Sequence, residues 1–233
     1  MTDRPTTTSS LPAAPDSADS SDRRVGNPLV WGTMKSLCRI ILSRMFEMKV
    51  YGRQNVPRTG GAMLISNHIS YLDPIVLGVQ LIRPISFIAK TELFQNRFFG
   101  WLIRSLNTFP VRRGQTDMGA IREAIRRLRE GRILTMFPEG TRSPNGQLAR
   151  IQPGIAMLIR RAGVPVIPAV IDGTFEAWPR GKNLPTRFPI RVMYGPALPI
   201  GKLKGHQIVD LIQSTFRSMQ AELRAKRKPD SLV

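Results

Sequence analysis

The segment 62–74, which reads AMLISNHISYLDP, decides the fold of this chain. The apolar run Ala62–Ser66 predicts a buried strand. Asp73 followed by Pro74 is a helix-start signal, with the aspartate at the N-cap and the proline at the first helical position. A strand that turns tightly into a helix is typical of α/β sheets, in which ligands gather beyond the carboxyl ends of the strands.

The rest of the chain repeats this alternation of strand and helix patterns. Strands are predicted at 49–56, 85–89, 108–111, 133–137, 164–171 and 187–193. Helices are predicted at 27–49, 74–81, 92–106, 116–130, 154–162 and 207–226. In the helix 116–130 the spacing predicts that Met118, Ile121, Ile125 and Leu128 face inward and that arginines face outward. The pattern indicates an α/β single-domain sandwich, in which helices flank a mostly buried mixed sheet.

Length and composition divide the chain into four parts. Its 233 residues, 42% of them hydrophobic, suffice for one domain with a core. The Ser-, Thr- and Pro-rich residues 1–26 predict a disordered tail without the apolar run of a signal peptide. An amphipathic helix at 27–47, a folded domain at 48–226 and a basic tail at 227–233 follow. No apolar run is long enough for a transmembrane helix. A single cysteine and two histidines exclude a Cys/His zinc site and an internal disulfide.

The net charge of +19, from 35 Lys and Arg against 16 Asp and Glu, indicates anionic partners. Nucleic acid, anionic lipid head groups and acidic small substrates all fit this charge. In the helix 27–47, Lys35, Arg39 and Arg44 alternate with apolar residues at nearly helical spacing. Such a helix lies either in a bilayer interface or against the domain core.

His68 and Asp73 form a candidate base with its orienting acid. A carboxylate on one ring nitrogen fixes the histidine tautomer and leaves the other nitrogen basic. The alternatives are that Asp73 only caps a helix and that His68 is a satisfied polar residue. Ser70 is a further candidate nucleophile, although no Gly-x-Ser-x-Gly elbow surrounds it. If His68 and Asp73 are catalytic and Ser70 is not the nucleophile, the attacking hydroxyl has to come from the substrate.

The segment 137–143, which reads FPEGTRS, follows another predicted strand. Gly140 permits close backbone approach, Thr141 adds a hydroxyl, and the planar guanidinium of Arg142 suits phosphate oxygens. Glu139 would repel a phosphate, so we expect it to hold an arginine or a substrate hydroxyl. The alternative is an ordinary turn with solvated charges. Arg112 and Arg113, which end the strand 108–111, add to the same anion pocket or simply face solvent.

These segments together resemble the glycerolipid acyltransferases typified by 1-acylglycerol-3-phosphate acyltransferase. The resemblance lies within residues 48–194 and is carried by four blocks. The first is formed by Asn67, His68, Ser70 and Asp73, and the second is the segment 109–113. The third is the segment 137–143, which matches at all seven positions, and the fourth is the Val-Pro-x-x-Pro strand 164–168. Two departures concern the acceptor site. Arg112 stands where the family has an acidic or neutral residue, so the family's arginine role passes to Arg113. Arg150 stands near the position of a family lysine.

The resemblance implies that residues 48–226 are an acyltransferase domain, with His68 as general base and Asp73 as its orienting acid. It assigns the acceptor phosphate to Arg113, Glu139, Gly140, Thr141 and Arg142, with Asn67, Ser70, Arg112 and Arg150 as further candidates. The donor is acyl-CoA or acyl carrier protein, and no metal or cofactor is expected.

The expected acceptor is lysophosphatidic acid, which would give phosphatidic acid, with another lysophospholipid or a lyso-aminolipid as the alternative. The expected location is peripheral or monotopic at the cytoplasmic face of a membrane with an anionic surface. A basic nucleic-acid-binding module explains the charge but not the segment 137–143, and neither a recognition helix nor a stacking sheet face is found. A lipid-binding relative without catalysis is the remaining alternative.

Overall fold

The computed structural model describes residues 28–95, 108–111 and 117–227, which form one seven-stranded sheet flanked by helices. The strands are β1 (Lys49–Tyr51), β2 (Ala62–Ser66), β3 (Ile85–Lys90), β4 (Thr108–Val111), β5 (Ile133–Met136), β6 (Val166–Asp172) and β7 (Arg191–Tyr194). Their order across the sheet is β1-β7-β6-β2-β5-β3-β4. β6 and β7 pair antiparallel, and all other neighbours pair in parallel. The prediction of an α/β fold with a mixed sheet is confirmed.

Helices cover both faces of this sheet. They are α1 (Pro28–Met45), α2 (Asp73–Gln80), α3 (Met118–Arg129), α4 (Gly154–Ala162), α5 (Thr174–Ala177) and α6 (Gly205–Arg227). α3, α4 and α6 pack into one hydrophobic cluster with one face of the sheet, and α1 and α2 pack into a second cluster on the other. Because both faces are covered, every residue of β2 and β6 is buried.

Two strands are shorter than predicted by three residues or more. The strand predicted at 49–56 ends at Tyr51, and a short 3-10 helix occupies Arg53–Asn55. Gly52 makes this turn with a φ of 70°, and a side chain there would lie 2.0 Å from the carbonyl oxygen of Tyr194. β7 begins at Arg191 rather than at residue 187.

Helices also differ from the prediction, and α1 ends at Met45 rather than at residue 49. Thr91–Phe94 forms a 3-10 helix, and residues 96–107 of the predicted helix 92–106 lie outside the described residues. In α3, Met118 is exposed, whereas Arg127 is buried because its guanidinium lies over the Phe109 ring and pairs with Glu123. The buried face of α3 is therefore made by small residues and one arginine as well as by Leu128.

The topology brings three loops to one edge of the sheet. β2 pairs in parallel with β5 on one side and with β6 on the other. Their carboxyl ends therefore meet, and each is followed by a polar segment: 67–72 after β2, 137–143 after β5, and 173–178 after β6. This edge holds two of the segments that the sequence singled out, the His68–Asp73 turn and residues 137–143.

Candidate active site

His68 and Asp73 form the centre of the site. His68 Nδ1 lies 2.8 Å from Asp73 Oδ2, and the carboxylate, which can only accept, makes Nδ1 the donor. The Asp73 side chain is fully buried, whereas the His68 side chain is 15% exposed. The imidazole stacks on the Phe137 ring, with 4.0 Å between centroids and 16° between planes. The other ring nitrogen, Nε2, is thus left to accept a proton.

The Asp73 carboxylate organises the turn that carries His68. Oδ2 also accepts hydrogen bonds from the N–H groups of Ile69 (2.6 Å) and Ser70 (2.8 Å), and Oδ1 accepts from the hydroxyl of Thr174 at 2.7 Å. The prediction that Asp73 is a helix N-cap is wrong. The N-cap is Leu72, and the carboxylate points back to the preceding turn. Three donors of that turn and the Thr174 hydroxyl stabilise its buried charge.

Glu139 ties the loop 137–143 to the same turn. Its Oε1 accepts from the N–H of His68 at 3.1 Å, and its Oε2 accepts from the N–H of Ala149 at 3.2 Å. Burial raises the pKa of this carboxyl to about 7, the two N–H groups act to lower it, and the nearby charge of Asp73 raises it. With the side chain 3% exposed and both oxygens engaged, this geometry favours an anchoring role over direct contact with a phosphate.

Gly140, Thr141 and Arg142 form the tip of this loop. Gly140 has a φ of 76°, and its N–H donates to the carbonyl of Phe137, so it is not a free anion donor. The N–H of Ser143 donates to the carbonyl of His68 at 2.8 Å, which fixes the far end of the tip beside the histidine. The Arg142 guanidinium carbon lies 3.4 Å from the centre of the Tyr71 ring. Among the described residues, the Arg142 nitrogens have no hydrogen-bond acceptor and no acidic partner.

The remaining predicted site residues fall into two groups. Asn67 and Ser70 are buried, and their side chains bond to backbone: Asn67 to both the N–H and the carbonyl of Ile171, and Ser70 to the carbonyl of Trp178 at 2.8 Å. Arg150 is exposed, while Arg112 and Arg113 lie outside the described residues. The structure therefore brings His68, Asp73, Glu139, Gly140, Thr141 and Arg142 together and gives Asn67 and Ser70 a supporting position.

Sequence reasoning missed two residues of this site. Thr174, the first residue of α5 after β6, donates a hydrogen bond to the Asp73 carboxylate. The Tyr71 ring contacts the Arg142 guanidinium. Thr174 could have been found, because β6 reads as a buried strand and its carboxyl end lies at the same edge as that of β2. Tyr71 had no signal of its own, since the contact of its ring with Arg142 depends on how two loops meet.

Comparison with known proteins gives the same family from sequence and from structure. The family model described as Acyltransferase matches residues 47–172. The chain is 30% identical over 161 residues to the 1-acyl-sn-glycerol-3-phosphate acyltransferase of Bacillus subtilis, and the aligned residues make up 69% of this chain and 78% of that protein. Identity to the enzyme of the same name from Pseudomonas aeruginosa is 29% over 166 residues, which is 70% of this chain and 62% of that protein.

A solved structure extends the match beyond sequence. The crystal structure of the 1-acyl-sn-glycerophosphate (LPA) acyltransferase PlsC from Thermotoga maritima superposes with a TM-score of 0.72 at 26% identity, over 85% of this chain and 82% of that chain. The family model spans the His68–Asp73 turn, the loop 137–143 and the end of β6. The chain therefore belongs to the acyltransferase family.

Proposed function

We propose that this enzyme moves a fatty acyl chain from a thioester to the free hydroxyl of 1-acylglycerol-3-phosphate, which gives phosphatidic acid. One observation carries the proposal: the His68–Asp73 pair, joined at 2.8 Å, lies beside a loop whose arginine has no protein acceptor among the described residues. A base beside an unpaired guanidinium suits an acceptor that carries both a hydroxyl and a phosphate. The names of the sequence relatives support the same acceptor.

The chemistry begins at the histidine. Nε2 of His68 accepts the proton of the acceptor hydroxyl while Nδ1–H stays bonded to Asp73, whose charge stabilises the imidazolium that forms. The hydroxyl oxygen attacks the thioester carbonyl, the C–S bond breaks, and the imidazolium returns the proton to the departing thiolate. The acyl group passes directly to the acceptor without an acyl-enzyme. General-base catalysis of this kind contributes about 10²- to 10⁴-fold.

The phosphate is held by the loop tip. Arg142 supplies a planar pair of donors, Thr141 supplies an exposed hydroxyl, and Arg113 adds a second positive charge. Glu139 serves the same site by holding the backbone of His68 in place. A proton acceptor and cationic donors both come from the chain, so the proposed reaction uses no metal and no prosthetic group.

The test is acyl transfer by the purified full chain to a panel of lysolipids, with acyl-CoA and acyl carrier protein as alternative donors. We expect the highest kcat/KM for 1-acylglycerol-3-phosphate and no loss of rate in the presence of a metal chelator. A higher kcat/KM for a lyso-aminolipid, or for a lysolipid without a phosphate monoester, would exclude the proposed acceptor. The two donors, compared at equal concentration, decide which thioester the enzyme prefers.

We also propose that α1 attaches the protein to the anionic surface of a bilayer at its cytoplasmic face. Leu37, Ile40 and Ile41 are each about half exposed on α1, next to the exposed cations Arg39 and Arg44. Basic residues near an anionic leaflet contribute about 1 kcal/mol each. None of the helices in the described part of the chain is long and apolar enough to cross a membrane.

Lys35 contributes to this attachment differently from the other two cations. Its ammonium donates to the carbonyl oxygens of Leu81 and Ile82, in the loop between α2 and β3. Burial, together with the nearby charge of Arg39, lowers the pKa of Lys35. Lys35 therefore fixes α1 to the domain, and Arg39 and Arg44 supply most of the charge that faces the membrane.

Flotation with anionic liposomes tests the attachment. Removal of residues 1–47 is unsuitable because Phe46 belongs to the core. We instead compare the combined Leu37→Asp and Ile40→Asp variant with Met157→Asp, which changes an exposed residue of α4 on the opposite face of the sheet. The first variant should float poorly, and Met157→Asp should float like the wild type, with partial release in high salt. Equal flotation of both variants would exclude α1 as the membrane contact.

A further inference from the structure

The Tyr71–Arg142 contact links the base to the phosphate-binding loop. Tyr71 lies within the His68–Asp73 turn, and Arg142 lies at the tip of the loop after β5. The Arg142 guanidinium carbon is 3.4 Å from the Tyr71 ring centre, a distance that requires the guanidinium plane to lie flat on the ring, because an edge-on nitrogen would hold the carbon further away. The N–H groups of Arg142 therefore point sideways, past the ring, and the ring engages none of them.

The turn that carries Tyr71 is rigid on both sides. The N–H groups of Ile69 and Ser70 donate to Asp73, and the Ser70 hydroxyl donates to Trp178 and accepts from the N–H of Leu72 at 3.2 Å. Tyr71 is 52% exposed, and its ring contacts the Trp178 ring with tilted planes and 5.8 Å between centroids. The backbone on both sides of residue 71 is thus held by hydrogen bonds, two of which go to the same Asp73 oxygen that orients His68. The side chain contributes little to the core.

We propose that Tyr71 is a positioning residue that sets the place of the Arg142 guanidinium relative to His68. This inference rests on the proposed function, in which Arg142 binds the acceptor phosphate. Because the ring belongs to the turn of the base, it fixes the distance between the proton-accepting nitrogen and the phosphate donors. The site then selects acceptors whose hydroxyl and phosphate monoester are separated by a matching length, as on one glycerol unit.

The test compares Tyr71→Phe, which keeps the ring, with Tyr71→Leu, which removes it. Loss of the stacking contact should raise the KM for 1-acylglycerol-3-phosphate about 3- to 10-fold. The KM for the acyl donor should not change, and Tyr71→Phe should behave like the wild type. In an Arg142→Gln background, Tyr71→Leu should have no further effect on the acceptor KM. Equal KM values for wild type and Tyr71→Leu, or additive effects of the two substitutions, would overturn the inference.

A binding measurement separates this inference from the proposed function. Equilibrium binding of monomeric 1-acylglycerol-3-phosphate is followed by the fluorescence of the wild type and of both Tyr71 variants, without a donor. Weaker binding to Tyr71→Leu alone supports the inference even if the wild type transfers no acyl group. Equal binding to all three proteins, in an enzyme that acylates this lipid, leaves the proposed function standing and refutes the role of Tyr71. No binding to the wild type would contradict both.

Discussion

Replacement of Asp73 by asparagine separates the charge of this residue from its structural role. Oδ2 accepts from His68 Nδ1 and from two backbone N–H groups, whereas Oδ1 accepts, among the residues that the structure describes, only from the Thr174 hydroxyl. An asparagine must therefore place its oxygen at the Oδ2 position and its amide nitrogen toward Thr174. The hydroxyl can rotate from donating to accepting, so every hydrogen bond survives. His68 keeps the same tautomer because Nδ1 still faces an oxygen.

The expected loss of activity follows from the loss of charge alone. A hydrogen bond to a charged group is worth about 1.5–3 kcal/mol, against about 0.5–1.5 kcal/mol for a neutral one. The imidazolium should therefore lose about 1–2 kcal/mol of stabilisation, which lowers kcat roughly 5- to 30-fold. Asp73→Ala instead leaves the N–H groups of Ile69 and Ser70 buried without an acceptor. At about 1–3 kcal/mol for each group, that variant should lose about 2–6 kcal/mol of stability.

The assay pairs steady-state acyl transfer with thermal unfolding of wild type, Asp73→Asn and Asp73→Ala. We expect Asp73→Asn to unfold near the wild-type temperature with reduced kcat, and Asp73→Ala to unfold well below it. A fully active Asp73→Asn would show that the charge does not assist the base. A stable Asp73→Ala would refute the claim that this carboxylate organises the turn.

Three further substitutions test the residues around the pair. Folding favours the protonated form of Glu139, because its pKa is about 7 in the folded protein against an ordinary 4.5. The protonated carboxyl therefore contributes fully to stability below pH 4.5, and this contribution is lost as the pH rises through 7. In urea unfolding, the free energy of unfolding of the wild type should fall by about 3 kcal/mol relative to that of Glu139→Gln between pH 4 and 8. A difference that does not change with pH would contradict the raised pKa of Glu139. Gly140→Ala should lower the free energy of unfolding, measured by thermal unfolding, by about 1–2 kcal/mol, because a φ of 76° is strained for alanine. The added carbon itself has room, since the nearest side-chain atom, of Gln152, is 3.5 Å away. An unchanged unfolding midpoint would mean that the loop relaxes. Thr174→Val should lower the free energy of unfolding by about 1–3 kcal/mol, because one Asp73 oxygen loses its donor. Its loss of kcat should be smaller than that of Asp73→Asn. A larger loss of kcat would give Thr174 a direct part in the reaction.

The sequence predicted the sheet and its site to the extent that local patterns determine them. β2, β4 and α4 have the predicted bounds, because each is an apolar or periodic run with a clear turn signal at its end. The early end of β1 was missed. Gly52 turns the chain with a φ of 70°, and the carbonyl oxygen of Tyr194, on a distant strand, lies 2.0 Å from where a Cβ would stand. The buried Arg127 was also missed, because an arginine on a helix is normally assigned to solvent. Its burial here is favoured by the Phe109 ring, Glu123 and the Ser86 hydroxyl.

The site shows the same division between local and long-range information. The spacing of His68 and Asp73 indicated their contact, because a strand-to-helix turn folds the carboxylate back. The anchoring role of Glu139 needed coordinates, since its partners are the backbones of His68 and Ala149, and any sequence would offer such N–H groups. The roles of Tyr71 and Thr174 likewise follow from parallel strands that place three loops side by side.

Acyl transfer by His68→Ala, compared with the wild type at saturating donor and acceptor, measures the contribution of the base most directly. Free thiol is counted as it is released, and thermal unfolding confirms that the variant is folded. If His68 is the proposed general base, removal of its imidazole should lower kcat about 10²- to 10⁴-fold. A folded His68→Ala protein that retains a kcat within a few-fold of the wild type would contradict the mechanism, whatever lipid proves to be the acceptor.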